Sequence, residues 1–229
     1  MLTYFKQLDQ ILRGDATRLS SLTDAEIKIP IGGLSLAVLS LGVLYGLCAG
    51  SFAMIQTAGQ AYMQFIASAI KVPLLLTATF VLSLPNFFVV NTLFGLRSDF
   101  LHSIRALLAT QAGLTVVLAS FAPFTVLWYA SSSDYRGAIV FNTLMFGSAS
   151  VTAQWLLRRF YEPLIRRDRR HRTLLRAWLL IYTFVGIQMA WVLRPFIGSP
   201  DLTPQFFRQD AWGNAYVKLA NIIWAFFAG

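Results

Sequence analysis

Apolar positions along the chain gather into five long runs separated by short polar stretches. The runs are Ile29 to about Met54, Val72 to Phe94, about Ala106 to Tyr129, Gly137 to Leu157, and Thr173 to Val192. Each offers roughly the 20 residues that an α-helix needs to cross about 30 Å of hydrocarbon. The pattern predicts an all-α, polytopic transmembrane bundle of five helices. Ahead of the first run, Leu2, Phe5, Leu8 and Leu12 recur near helical spacing among Lys6, Gln7, Asp9 and Arg13. Residues 1–28 therefore read as an amphipathic arm on the membrane surface, with Thr23 and Glu26 at capping-box spacing where a helix could start. Between runs one and two, Ala58, Tyr62, Phe65, Ile66, Ala69 and Ile70 share one helical face, with Gln56, Gln60 and Gln64 opposite. That reads as an interfacial helix bent into the second span at Pro73. The aromatic tail 211–229, with Lys218 near its middle, reads as an interfacial or partner-packing helix, a sixth span being the alternative. The organisation expected is a surface arm (1–28), a five-span domain (29–196) and a tail (197–229).

Charge orients this bundle. Only 13% of the 229 residues are charged, against 56% hydrophobic, and the mean hydropathy is +0.60. Soluble domains carry roughly 25% charged residues. Seven arginines fall within the fifteen residues 158–172: Arg158, Arg159, Arg166, Arg167, Arg169, Arg170 and Arg172. Short loops rich in Lys and Arg stay on the cytoplasmic side. Fourteen of the 19 Lys and Arg lie in 1–28, 95–105 and 158–176, which places the amino terminus and the arginine block inside and the carboxyl terminus outside. A bacterial inner membrane is the expected location. The net charge of +9 then points to anionic lipid headgroups on the inner face rather than to nucleic acid. No cleavable signal peptide is expected, since the first 28 residues are polar and mixed in charge.

Candidate chemistry is thin. All ten acidic residues lie outside the span centres, whereas proton- and cation-coupled carriers place carboxylates at membrane depth. His102 and His171 have no paired ligand spacing and read as solvated surface residues. Cys48, the single cysteine, reads as a small packing residue. No nucleophile triad, Walker loop or dinucleotide fingerprint is present. Neither a cofactor, a metal nor an enzymatic activity is expected.

Packing signals are clearer. Gly42, Gly46 and Gly50 recur every four residues in span one and line one face where another backbone can come close. Ala109 and Gly113, and Ala149 and Ala153, repeat the spacing in spans three and four. Such faces serve internal packing or a protein partner within the membrane. Span two holds Pro73, Thr77, Pro85, Asn86 and Asn91, a polar set that reads as internal hydrogen bonding or as a crevice for a neutral solute or lipid. Beyond span five, Pro195 should end the helix and Arg194 should reach a lipid phosphate or a partner.

Lys71-Val-Pro73-Leu-Leu-Leu-Thr77, Leu84-Pro85, Asn91-Thr-Leu-Phe-Gly95 and Arg194-Pro195-Phe196-Ile-Gly198 look like patterns in uncharacterised bacterial membrane proteins grouped with the Yip family. The resemblance implies a compact five-helix bundle without catalysis and assigns no site residues. The function expected is a structural, assembly or accessory subunit of a membrane complex, the alternative being a small passive permease or channel-like component for a neutral solute or lipid.

Overall fold

A computed structural model describes residues 31–56, 62–198, 205–208, 211–217 and 224. The arm 1–28, with its cap at Thr23, and most of the tail lie outside the described residues. Five long α-helices account for nearly all of the rest: α1 (Ile31–Gln56), α2 (Tyr62–Leu93), α3 (Phe100–Ser131), α4 (Tyr135–Arg167) and α5 (Arg170–Leu193). A 3-10 turn, Arg97–Asp99, leads into α3. No strand occurs among the described residues.

Four segments are long and apolar enough to cross a membrane: Ile31–Gln56, Tyr62–Leu93, Arg97–Ser131 and Arg170–Leu193. They support a multi-pass membrane protein. Helix α4 is as long as the others, at 33 residues, but more dilute in apolar side chains. Asn142, Thr143, Ser148, Ser150, Thr152 and Gln154 interrupt its otherwise apolar stretch 137–157.

Helix α1 packs along α2 on one side and α3 on the other, while α4 lies against α3 and α5 against α2. The α1–α2 contact explains the glycine spacing. A Cβ on Gly46 would come 2.9 Å from the Ala69 Cα and closer still to the Ser68 carbonyl oxygen. At Gly50 it would stand 3.0 Å from the Phe65 Cα, and at Gly42 3.2 Å from the Pro73 Cα. Three glycines on one face thus let two backbones touch, which is how helices gain dispersion contact where lipid offers no hydrophobic driving force. At Gly113 of α3 the space is taken instead by a side chain of α4, since a Cβ there would meet Leu156 Cδ1 at 2.6 Å. Ala109, Ala149 and Ala153 are buried with it. Every residue from Ala106 to Thr115 is buried, so α3 is the bundle's inner helix. Phe80, Phe87, Trp178, Leu118, Leu156 and Leu174 belong to the main core.

The helix ends follow their sequences. Gly95 adopts a φ of 71°. The Leu96 N–H bonds the Asn91 carbonyl and the Gly95 N–H that of Thr92, so α2 closes with a Schellman motif that favours glycine there. Asp134 caps α4 by accepting from the N–H groups of Arg136 (3.0 Å) and Gly137 (2.9 Å). Helix α5 stops at Leu193, because Arg194 precedes proline and takes an extended backbone (φ −61°, ψ 152°).

The segment before Pro73 differs from the expectation. There is no separate interfacial helix at 62–71. Helix α2 runs through Pro73 and Pro85 as one element. Its faces are also reversed relative to a surface helix: Gln64 is buried, while Tyr62, Ile66 and Ile70 are exposed. With an apolar medium outside, the polar stripe turns in, where it finds hydrogen-bond partners.

Candidate functional site

Polar side chains concentrate at the two ends of the bundle, with a few cross-links between. At one end, the short loops 94–99 and 168–169 come together. Asp99 is the hub. Its Oδ1 accepts from Arg167 Nη1 and its Oδ2 contacts His171 Nε2, each at 3.2 Å. His171 is fully buried and lies edge-on to the buried Tyr161 ring, 6.0 Å between centroids. This corrects the reading of His171 as a solvated residue: its spacing within the arginine block gave no hint that α5 begins by turning it inward. His102 is half-buried. Arg170 bonds the Asp168 carboxylate (2.8 and 3.0 Å) and the Phe94 carbonyl (2.9 Å), which ties the two loops together. Hydrogen bonding to Arg170 holds the half-buried Asp168 carboxyl below the ordinary carboxylate range.

The arginine block therefore divides. Arg167 and Arg170 hold the fold, Arg166 pairs with Glu162 at 2.6 Å, and the Arg159 guanidinium lies over the Trp155 ring. Arg158, Arg169, Arg172 and Arg176 point outward and are exposed.

Between the two ends, side-chain bonds link helices in two sets, one of them near the 132–134 loop. The Tyr45 hydroxyl donates to Asn142 Oδ1 (3.0 Å), and Asn142 Nδ2 donates to the Tyr129 hydroxyl oxygen, joining α1, α4 and α3. Tyr182 donates to Gln111 Oε1 (2.9 Å), whose amide donates to the Leu76 carbonyl (2.8 Å), joining α5, α3 and α2. In an apolar surround each such bond is worth on average about 0.6 kcal/mol and at most about 1.7 kcal/mol.

The expected polar set of span two is not brought together. Pro73 packs against Gly42, and the Thr77 hydroxyl bonds its own helix at the Pro73 carbonyl (2.7 Å). Pro85 and Asn86 face outward, while Asn91 is buried at the arginine end. These five residues do not share one face of the helix, Pro73 and Asn91 being buried and Pro85 and Asn86 exposed.

At the opposite end, a turn after α5 folds back on α2. The Arg194–Pro195 peptide is cis. Gln64 Nε2 and Lys71 Nζ both donate to the Pro195 carbonyl (3.1 and 2.9 Å). Ser68 Oγ donates to the Phe196 carbonyl at 2.5 Å. Lys71, fully buried, donates a second bond to the Gln205 carbonyl (3.3 Å) and lies 5.0 Å from the centre of the Phe206 ring. Gly198 closes the turn, its α-carbon side facing Gln64 and Ala53 where a Cβ would find 2.5–2.8 Å. Arg194 lies over the Trp191 ring, 3.1 Å from its centre. Sequence reasoning missed this latch. Gln64, Ser68 and Lys71 at i, i+4 and i+7 in an apolar segment were its only signal. Residues 211–217 of the tail dock on α5: Gln188 bonds the Gly213 carbonyl and the Ala215 N–H at 3.1 Å each, and Tyr216 stacks on Phe184.

Among the described residues, no three His, Cys, Asp or Glu gather at one point. No family model, curated protein or solved structure matches the chain, and nothing there bears on the resemblance to the Yip family.

Proposed function

We propose that the chain is a non-enzymatic integral membrane protein, an accessory or assembly subunit that works through its arginine end. In this reading it crosses the membrane five times, α4 included, with the arginine end on the cytoplasmic side. Helix α4 is counted because it packs against α3 and its 33 residues span about 50 Å, well beyond the hydrocarbon thickness. One observation carries the functional reading. Arg158, Arg169, Arg172 and Arg176 are exposed at one end, while the block's own acids, Glu162 and Asp168, are already paired with Arg166 and Arg170. Such a surface suits anionic headgroups and an acidic partner, each cation contributing about 1 kcal/mol near an anionic leaflet. The glycine face is spoken for by α2, so the partner surface lies at this end rather than along α1.

The experiment is recovery of partners from native membranes in mild detergent. A stoichiometric partner should accompany the wild-type chain. It should be lost from the Arg158→Gln, Arg169→Gln, Arg172→Gln, Arg176→Gln variant, which keeps the internal pairs and should melt like wild type. A chain that purifies alone from native membranes contradicts the reading.

A further inference from the structure

Arg158 and Arg176 differ from the other exposed arginines in what lies beside them on their helices. On α5, Arg176 stands one turn, about 6 Å, from Leu180, which is 73% exposed, and Phe184 continues that stripe. On α4, Arg158 stands about 5 Å along the axis from Trp155, which is 61% exposed and follows Val151 on the same face. In both helices the side chains turned to the surroundings thus change from apolar to cationic within one turn. Such a change marks the level where hydrocarbon gives way to headgroups, and an outward Trp is a usual side chain at that level. Arg169 and Arg172 lie farther along, on and just after the joint between the two helices.

The loop 94–99 shows how far this end stands from the bilayer. Its Phe94 carbonyl accepts from Arg170 and its Asp99 carboxylate from Arg167, so it lies level with the joint of α4 and α5. Leu93 and Leu101, which flank that loop, are nonetheless 79% and 61% exposed. An end that turns leucines outward on one side and arginines on the other is poorly suited to stand clear in water. It suits the headgroup layer, where apolar side chains reach the hydrocarbon and arginines reach phosphate. The described acids at this end are already engaged: Glu162, one turn from Arg158, by Arg166, Asp168 by Arg170, and Asp99 by Arg167 and His171. Helix α5 carries no acid of its own. A guanidinium offers a phosphate two parallel hydrogen bonds. A soluble acidic partner would meet the joint first and these flanks last.

We propose that Arg158 and Arg176 are contacts for anionic phospholipid, each taking a headgroup phosphate from the side of the bundle, which narrows the partner surface to Arg169 and Arg172. These contacts rest on the membrane reading of the arginine end; they do not need a partner to exist.

Two paired variants separate the contacts: Arg158→Gln with Arg176→Gln, and Arg169→Gln with Arg172→Gln. The full-length protein in mild detergent is titrated with phosphatidylglycerol, with phosphatidylcholine of the same chains and with inorganic phosphate, following bound lipid by native mass spectrometry. Phosphatidylglycerol should bind at least about tenfold more tightly than phosphatidylcholine. The first pair of changes should weaken its binding about thirtyfold, and the second by less than about threefold. Lysine at 158 and 176 keeps the charge and should lose less than glutamine does. Inorganic phosphate at matched ionic strength should not release the lipid. Equal binding of the two lipids would overturn the proposal. So would equal losses in the two paired variants, a loss with lysine as large as with glutamine, or release by free phosphate. Partner recovery is scored on the same variants. A chain that purifies alone, yet holds phosphatidylglycerol through Arg158 and Arg176, removes the partner and leaves the lipid contacts standing. A partner retained without any preference for phosphatidylglycerol does the reverse.

Discussion

Gly46 and Lys71 show how single residues set this bundle. Alanine at Gly46 has no room against the α2 backbone, where neither Ser68 nor Ala69 can move without shifting the helix. Gly46→Ala should destabilise by about 1–3 kcal/mol, the range for overpacking a filled core. Gly32→Ala, where a Cβ meets nothing, should be neutral or stabilise by about 0.5–1 kcal/mol as a helical glycine is replaced. Melting curves in one detergent compare the two, and equal shifts would mean that α1 and α2 do not touch. Lys71→Met keeps the stem but deletes both carbonyl bonds. It should cost about 1–3 kcal/mol and raise hydrogen exchange at Phe196 and Ile197, leaving the arginine end unchanged. Unaltered exchange there would mean that Gln64 and Ser68 hold the turn alone. The glycine spacing was legible in the sequence, but its partner was not, because spacing names a face and not the helix that meets it. Lys71 was counted only among the five Lys and Arg outside the proposed inner segments, since nothing local shows that residues 195 and 205 return to it.

At the scale of elements, amphipathic spacing located polar faces correctly and misjudged the medium beyond them. Residues 56–70 have the periodicity of a surface helix, yet Gln64 points in and Ile66 and Ile70 point out. Period alone cannot tell water outside from lipid outside. The five long helices were legible because apolar runs of membrane length are rarely anything else. Their ends shifted by one residue to as many as ten, nearly three turns at the start of α2 and the end of α4, since α2, α3 and α4 run past the apolar stretch into polar ends. The start of α5 carries a pH signature. Asp168 accepts from Arg170 through both its side chain and its backbone N–H, which holds its carboxyl below the ordinary value of about 3.9. A depressed carboxyl contributes stability above its unfolded pKa and loses it as pH falls through the lower folded value. Wild type should therefore lose stability below about pH 4. Asp168→Asn should lose less over that window, and the two melting profiles should converge at acid pH. Parallel profiles would show that the Asp168–Arg170 pair does not form in solution.

For the whole molecule, the central claim is a membrane bundle whose loops 94–99 and 168–169 share one side, while 132–134 and 194–198 share the other. The contacts of Asp99 with Arg167 and His171, and of Tyr135 with Ile197, require the first and second pairings within the fold. Helix α4 decides whether the membrane lies between them, because its diluted apolar stretch sets it apart from the four clear candidates. The most direct measurement is labelling of single cysteines in intact cells with a membrane-impermeant maleimide, in a Cys48→Ala background. Ser133→Cys should label from outside, and Ser98→Cys and Arg169→Cys only after the membrane is opened. Labelling of positions 133 and 169 from the same side would contradict a crossing by α4, and with it the bundle as a five-span unit.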